Sequence, residues 1–363
     1  MQLQIHKGQS LGIEQISQVK LKRQIDPIMG RLIPDVMTVR LRRGQSLQVE
    51  TGLQKRVQLF DKGKLLTTQF IRSCLQEGSI QKLESRTDLD FLQMEFRGGL
   101  YTEKTVDQMM GDILGDRGYV IDEGIDPLVS GHIPICNRQE ALAMLTFAQG
   151  GCMKMDPNGY FRMGFLNAET PELLGPDRIL DGPVMLSLPE YSRVELVSHS
   201  YKLANNWVQI FGDKEFFSSN ETYTFTEPVA QYRLLHGEIL ESGHNYVTFQ
   251  PMDTDTLHTL PYLHSRKWLS DSQLPGRDRV LSVRDNALIG SHNESRMLEG
   301  LKQRTQWNHK LKLRIYVNNE EPGQPVAVDT PWGSRFAGVI TRMDSILTPE
   351  RHTAEITVCG REI

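Results

Sequence analysis

Cysteine is scarce in this chain: four residues in 363, Cys74, Cys136, Cys152 and Cys359, widely spaced and without a C-x-x-C pair. That spacing argues against a disulfide framework and against a paired-cysteine zinc site, and predicts buried free thiols. No run of about 18 apolar residues occurs, so no segment reads as a membrane-spanning helix. The N-terminal Met1-Gln2-Leu3-Gln4-Ile5-His6-Lys7 lacks a basic start followed by an apolar stretch, so no secretory signal is expected and folding is expected in a cytoplasm. An excess of positive charge is lacking too, since the net charge is −4 and the pI about 6.2. A chain that wraps nucleic acid along its whole surface is excluded on that balance. P-loop, dinucleotide-binding and H-E-x-x-H motifs are missing, which removes the commonest nucleotide and metallohydrolase chemistries.

What is present is a mostly β pattern. With 39% hydrophobic and 24% charged residues, the chain has the composition of an ordinary globular protein and the length for two to four domains. In the last quarter, Met297, Leu298, Leu301 and Trp307 recur at helical spacing. Then Leu311, Leu313, Ile315 and Val317 alternate with Lys312, Arg314 and Tyr316. The apolar period changes from about 3.6 to 2 within two residues, predicting a helix over 291–309 followed directly by a strand. Further strands are expected at 326–328 and 336–347, with a closing strand that places Ala354, Ile356 and Val358 on one face.

The first ninety residues read as strands, with Ile16, Val19 and Leu21 leading to 36–41. A hairpin turns at Asp61-Lys62-Gly63-Lys64 between strands 57–60 and 65–71. Residues 98–166 shift in character. Thr105 with Gln108 and Asn137 with Glu140 predict capping boxes at the starts of two short helices, and Asp156-Pro157-Asn158-Gly159 predicts a turn between two strands. A linker carrying Pro171, Pro176, Pro183 and Pro189 is expected next, then strands at 194–203, 207–211, 223–225 and 246–249, with the final unit beginning near Leu281. The domain plan is 1–95, a tube-like β domain; 96–166, small α+β; 167–262, β-rich; and 263–363, a helix-plus-strands unit completing a second tube-like β domain. The fold class is mainly β with an α+β insert, the two tube-like modules being barrels or sandwiches. The echo of Lys7-Gly8-Gln9-Ser10-Leu11 in Arg43-Gly44-Gln45-Ser46-Leu47 is too short for a repeat.

Candidate chemistry is thin. Gly8-Gln9-Ser10-Leu11-Gly12 matches a nucleophile elbow by spelling, but too few residues precede it to build the required sheet, so a surface turn is expected. His258 and His264, near Asp253 and Asp255, could be drawn as a metal cluster. Pro261 between them is expected to interrupt any strand, which leaves solvated loop residues. Asp156, Asn158 and Tyr160 begin like a calcium loop without its later Gly and Glu. Asp88 and Asp90, two apart on a strand, would share one face as a glycosidase pair needs. Cys136 with His132 could be a thiol and its base. Lys20, Lys22 and Arg23, and Arg40, Arg42 and Arg43, read as exposed strand faces rather than as a phosphate track. Trp207, Trp268, Trp307 and Trp332 are expected in the core or at a subunit interface. No catalytic, cofactor-binding or metal residue is singled out.

Several segments in order carry a resemblance. Val129-Ser130-Gly131-His132-Ile133-Pro134-Ile135, then Asn137 to Leu142 and Phe147-Ala148, resemble the helical domain of tail hub proteins from phages and prophages of Gram-positive bacteria. Tyr223 to Pro228, Gly243 to Val247, Pro261 to His264, Asp285 to Ile289, Val326 to Thr330 and Phe336 to Ile340 are similar to the modules that follow in the same family. The resemblance covers about 91–360, and the first ninety residues fit as a β module of suitable size. Such hubs are similar to the baseplate hub of contractile tails. The resemblance implies a non-enzymatic, homotrimeric ring at the tail tip or baseplate, assembled in the host cytoplasm. Each copy would give two tube-like β domains to meet a hexameric tube. The implied partners are the tail tube protein, distal tail or baseplate proteins, the tape measure protein, a tip or receptor-binding protein, and DNA in passage. No cofactor is implied. Some members of the family carry a C-terminal hydrolase or fibre, and on this reading a cutting or adhesive function lies on another polypeptide. The rival readings are a carbohydrate-binding β protein using Tyr223, Phe225 and Tyr246, and a glycoside hydrolase using Asp88 and Asp90.

Overall fold

The computed structural model describes residues 1–5, 9–45, 55–166, 171–216, 219–272 and 274–363. Lys7, Gly8, Ser46 and Leu47 of the two echoed segments lie outside the described residues. Among the described residues, seven strands form the N-terminal region: β1 (Gln2–Ile5), β2 (Gln9–Leu11), β3 (Ile16–Gln24), β4 (Val36–Leu41), β5 (Arg56–Asp61), β6 (Lys64–Glu77) and β7 (Ile80–Arg86). The β5–β6 hairpin turns where the sequence places it, with Lys62 at φ 48° and Gly63 at φ 81°. Two successive left-handed residues make the turn whose twist matches that of the paired strands, and Gly adopts the second without steric cost.

The α+β region comprises β8 (Gly99–Thr105), α1 (Val106–Leu114), β9 (Leu128–Ile133), α2 (Arg138–Ala148), β10 (Cys152–Met155) and β11 (Phe161–Gly164). Both capping boxes form. Thr105 Oγ1 accepts from the Gln108 amide while Gln108 Oε1 accepts from the Thr105 amide, and Asn137 and Glu140 do the same at α2. The apolar faces of the two helices close one core around Met109, Met110, Ile113, Leu142 and Leu145.

The next region holds β12 (Ile179–Ser187), β13 (Arg193–Leu203), β14 (Val208–Glu215), β15 (Val229–Leu234), β16 (Tyr246–Gln250), β17 (Thr254–Asp271) and β18 (Val280–Val283). Here the structure corrects two expectations drawn from proline. Residues 171–189 are not a linker, because β12 pairs antiparallel with a strand of the C-terminal region. Pro183 is tolerated because β12 is the edge of its sheet and its register slips between Asp181 and Val184, where a missing N–H costs no ladder bond. Nor does Pro261 interrupt its strand. Strand β17 runs unbroken through it, and the irregularity falls on the partner β15, between Val229 and Gln231.

The chain closes with α3 (Glu294–Thr305), β19 (His309–Tyr316), β20 (Pro325–Asp329), β21 (Arg335–Leu347) and β22 (His352–Glu362). Helix α3 buries Met297 and Leu301 against Val194 and Leu196 of β13 and Phe147 of α2. Strand β18, expected to open this final unit, instead pairs parallel with β13.

One 13-stranded sheet joins the two ends of the chain. Its order is β12-β19-β22-β21-β3-β4-β7-β6-β5-β1-β2, with β20 on β21 and the short strand Glu172–Leu174 on β20. The seam is the antiparallel pairing of β3 with β21, from Val19 opposite Leu347 to Gln24 opposite Arg342. Cross-strand rows alternate between core and solvent. Ile315, Ala354, Ser345, Leu21, Met37 and Ser85 form a buried row. The adjacent row runs Arg314, Glu355, Asp344, Lys22, Val36 and Arg86, and turns outward. Parity also corrects Arg23, grouped above with the exposed Lys20 and Lys22. It lies in phase with Val19 and Leu21, so the pleat carries it inward. There its buried guanidinium, its pKa lowered by desolvation, meets Met343 Sδ at 3.3 Å and lies in the field of Asp35.

Candidate functional site

Buried polar contact concentrates where the α+β region meets the β13–β17 sheet. Strand β9 brings His132 there, and Gly131 lets it approach. The Gly131 φ is +131°, and a Cβ on that residue would sit 2.4 Å from the Ala287 carbonyl oxygen. The His132 amide donates to that same oxygen at 3.0 Å. Asn245, fully buried, donates both amide hydrogens, to the carbonyls of Arg97 and Ile133, each at 2.8 Å. Its Oδ1 is thereby fixed toward His132 Nε2 at 2.6 Å, so the imidazole is the donor. Burial lowers the His132 pKa, consistent with a neutral ring.

A second row runs alongside. His199 Nε2 donates to the Arg284 carbonyl at 2.9 Å, and its Nδ1 faces His264 Nε2 at 2.8 Å. His264 Nδ1 then donates to Glu227 Oε1 at 2.9 Å. Tyr201 stacks on His264 with centroids 4.6 Å apart and meets His132 edge-on at 5.5 Å. The segments at His132, His199, Glu227, Asn245, His264 and Arg284 are clamped by one chain of donors and rings. Arg304 makes a similar pin elsewhere, donating to the Ile28 and Gly150 carbonyls while burial lowers its pKa. Residue types alone did not mark Asn245 or His199, because their importance comes from partners more than sixty residues away.

The structure separates the pairs that residue type alone offered as candidates. His258 and His264 lie on β17 rather than on a solvated loop, and His264 is committed to Glu227 and His199. Asp255 accepts from the amides of His236, Gly237 and Thr256, which lowers its pKa against the opposing effect of burial. Among the described residues no group of three or more His, Cys, Asp or Glu is placed to hold a metal ion. Asp156 caps a β-turn, accepting from the Tyr160 amide at 2.8 Å. Asp88 and Asp90 do not share a strand face, since β7 ends at Arg86 and Asp90 opens a 3-10 turn. All four of their carboxylate oxygens face the guanidiniums of Arg72, Arg86 and Arg117. Cys136 and His132 do not pair: the imidazole is held by Asn245, and burial pushes the thiol up to about 12. Ser10 stands on β2, an edge strand, accepting from Gln2 at 2.8 Å, not on a strand-to-helix elbow. Cys152 and Cys359 are buried, Cys74 and Cys136 half-buried, and all four thiols are free.

The aromatics also resolve. Tyr223 and Phe225 pack with Phe211, Phe249 and Tyr232 in one cluster, and Tyr246 lies under the Arg97 guanidinium at 4.2 Å, so they do not form an open sugar platform. Trp207, Trp268 and Trp332 are not core residues, being 42%, 58% and 48% exposed. No helix among the described residues is long and apolar enough to cross a membrane.

No protein-family model matches the chain, and no curated protein matches it in sequence. Solved structures do match in fold, along nearly the whole chain. The 43 kDa tail protein of prophage MuSo2 from Shewanella oneidensis superposes with a TM-score of 0.59 at 11% identity, covering 99% of this chain and 98% of that one. The tail protein from Neisseria meningitidis MC58 gives 0.57 at 11% identity, covering 98% and 95%. Prophage tail protein gp18 from Listeria monocytogenes EGD-e gives 0.53 at 11% identity, covering 98% and 94%. The chain therefore has a fold found in prophage tail proteins, and that likeness does not single out Gram-positive hosts.

Proposed function

We propose that this protein is a structural hub of a phage tail or phage-tail-like particle, located at the baseplate or tail tip. The observation that carries the reading is the end-to-end fold match to three tail proteins of nearly equal extent, two of them from prophages. The arrangement of the sheet supports it. The N-terminal strands and the C-terminal strands are fused through β3 and β21, so one copy presents two β regions side by side. Three copies in a closed ring would offer six such regions, which reconciles a threefold hub with a hexameric tail tube and leaves a central passage for DNA. On this reading the protein catalyses no reaction. It binds copies of itself, the tail tube protein, distal tail or baseplate proteins, the tape measure protein, and a tip or receptor-binding protein. The domain plan carries over as a proposal, with 1–95 and the C-terminal strands as the two tube-like regions around an α+β insert.

Light scattering on the purified protein, alone and mixed with tail tube protein, tests this. A trimer, or a monomer converted to a ring by tube protein, is expected. A monomer indifferent to tube protein overturns the reading.

A further inference from the structure

Arg23 carries a buried charge with almost nothing bonded to it. It is 9% exposed, and among the described residues its guanidinium makes one hydrogen bond, to the weak acceptor Met343 Sδ, while Nε has no partner. No carboxylate of the described residues lies within 4.0 Å of it. The field of Asp35 reaches it, but burial raises that carboxyl to about 7, so Asp35 supplies only part of a counter-charge at neutral pH. A buried guanidinium without a bonded anion destabilises a fold unless something else compensates it.

Arg23 lines a cavity of about 190 Å³ together with the β5–β6 turn, the segment 317–321 and His352 of β22. His352 holds a second unpartnered nitrogen. Its side chain is 7% exposed, Nδ1 faces Asp61 Oδ2 at 3.4 Å, and Nε2 bonds nothing. Burial lowers its pKa and so favours the neutral ring. A carboxylate only accepts, so a neutral ring turned to Asp61 carries its proton on Nδ1 and leaves Nε2 as an acceptor. The acids of the lining already face cations: Asp61 the Met1 ammonium at 3.7 Å, Glu320 the Arg178 guanidinium and Glu321 the Lys154 ammonium at 3.4 Å. The cations Arg23, Lys62 and Lys64 are not matched in this way. Lys62 and Lys64 are exposed at the turn, without a carboxylate within 4.0 Å among the described residues, and Lys64 Nζ donates to the neutral Asn319 Oδ1 at 3.2 Å.

We propose that this cavity binds one small protonated oxyanion, of which inorganic hydrogenphosphate is the simplest. Its anionic oxygens accept from Arg23, Lys62 and Lys64, and its P–OH group donates to His352 Nε2. Sulfate at neutral pH has acceptor oxygens alone and leaves that nitrogen without a partner. A water molecule can bond the orphaned atoms but brings no charge to the guanidinium. The anion bridges β3, the β5–β6 turn and β22, so it ties the first and last regions of the chain together in addition to their backbone pairing. The inference uses only the groups of the cavity and does not rest on the tail-hub reading.

The experiment is isothermal titration calorimetry of the full chain with sodium phosphate near neutral pH, the ionic strength being held with sodium chloride. A direct binding signal is needed because phosphate and sulfate both stabilise folded proteins through exclusion from their surfaces. One phosphate per chain with a Kd below about 1 mM is expected. Sulfate should bind at least about threefold more weakly, for want of the hydrogen bond to His352. Arg23→Met places an apolar chain beside Met343 and should weaken phosphate binding at least about tenfold. Thermal melting checks that this variant folds; if it does not, Lys62→Gln/Lys64→Gln at the exposed turn should weaken binding at least about threefold. Lys202→Gln, exposed on β13, should leave binding unchanged. Absence of phosphate binding up to about 20 mM, undiminished binding in the cavity variants, or sulfate bound as tightly as phosphate overturns the proposal. Light scattering in the same buffers reports ring assembly separately, so a trimer that ignores phosphate defeats this inference and leaves the hub reading standing.

Discussion

Asn245 is the residue on which most depends. Its side chain makes three hydrogen bonds in a fully buried position, and its removal would orphan the Arg97 and Ile133 carbonyls and His132 Nε2 together. Leaving buried polar groups unpartnered costs about 1–3 kcal/mol each, partly recovered if water enters. Asn245→Ala should therefore lower stability by about 2–4 kcal/mol in urea denaturation; a loss under about 0.5 kcal/mol would show that the clamp carries little. Five histidines make a pH prediction. Burial lowers the pKa of His132, His199, His244, His292 and His352, so the unfolded chain binds their protons more readily than the folded one. Stability then falls as pH drops through the ordinary histidine range. Asp35 opposes this: burial raises its carboxyl to about 7, so its neutral form favours the fold at low pH and its contribution is lost as pH rises toward 7. With five histidines acting in one direction and Asp35 in the other, the expected net outcome is a melting temperature that falls between about pH 7 and about pH 5.5. A flat or rising profile would contradict the neutral imidazoles assigned here.

At the scale of elements, what was legible in the sequence is what local chemistry decides. The two capping boxes, the Lys62-Gly63 hairpin and the switch from helical to strand period after α3 each depend on residues within a few positions of one another. Thr105→Ala should cost about 1 kcal/mol by removing one donor–acceptor pair at the start of α1, measurable in chemical denaturation; Thr105→Ser should restore most of it. Elements read through proline were misjudged for a definite reason. Pro183 and Pro261 look like breaks when only the chain around them is considered, whereas an edge position and a bulged partner strand remove the conflict. The paired strand that decides the matter is 130 residues from Pro183 and cannot be inferred from its neighbours. The candidate site was illegible for the same reason: His199, His264 and Glu227 form one relay but come from three separate strands and loops.

For the whole molecule, the first and last regions were legible as β-rich but not as partners. The β3–β21 seam joins residues more than 300 positions apart, and no local pattern announces it. If the two ends behave as one sheet, amide hydrogen exchange should protect β3 and β21 to the same extent, because opening either strand exposes the other. A protected β3 beside a rapidly exchanging β21 would mean that the regions open independently.

The seam also fixes an order of events during synthesis. Strand β3 leaves the ribosome long before the strand that covers one of its edges exists, so for most of translation the nascent N-terminal sheet displays unsatisfied N–H and C=O groups along Val19 to Gln24. That edge is a template for another nascent chain, and the lysines at 20 and 22 lie on it as like charges that discourage such pairing until residues 335–347 arrive.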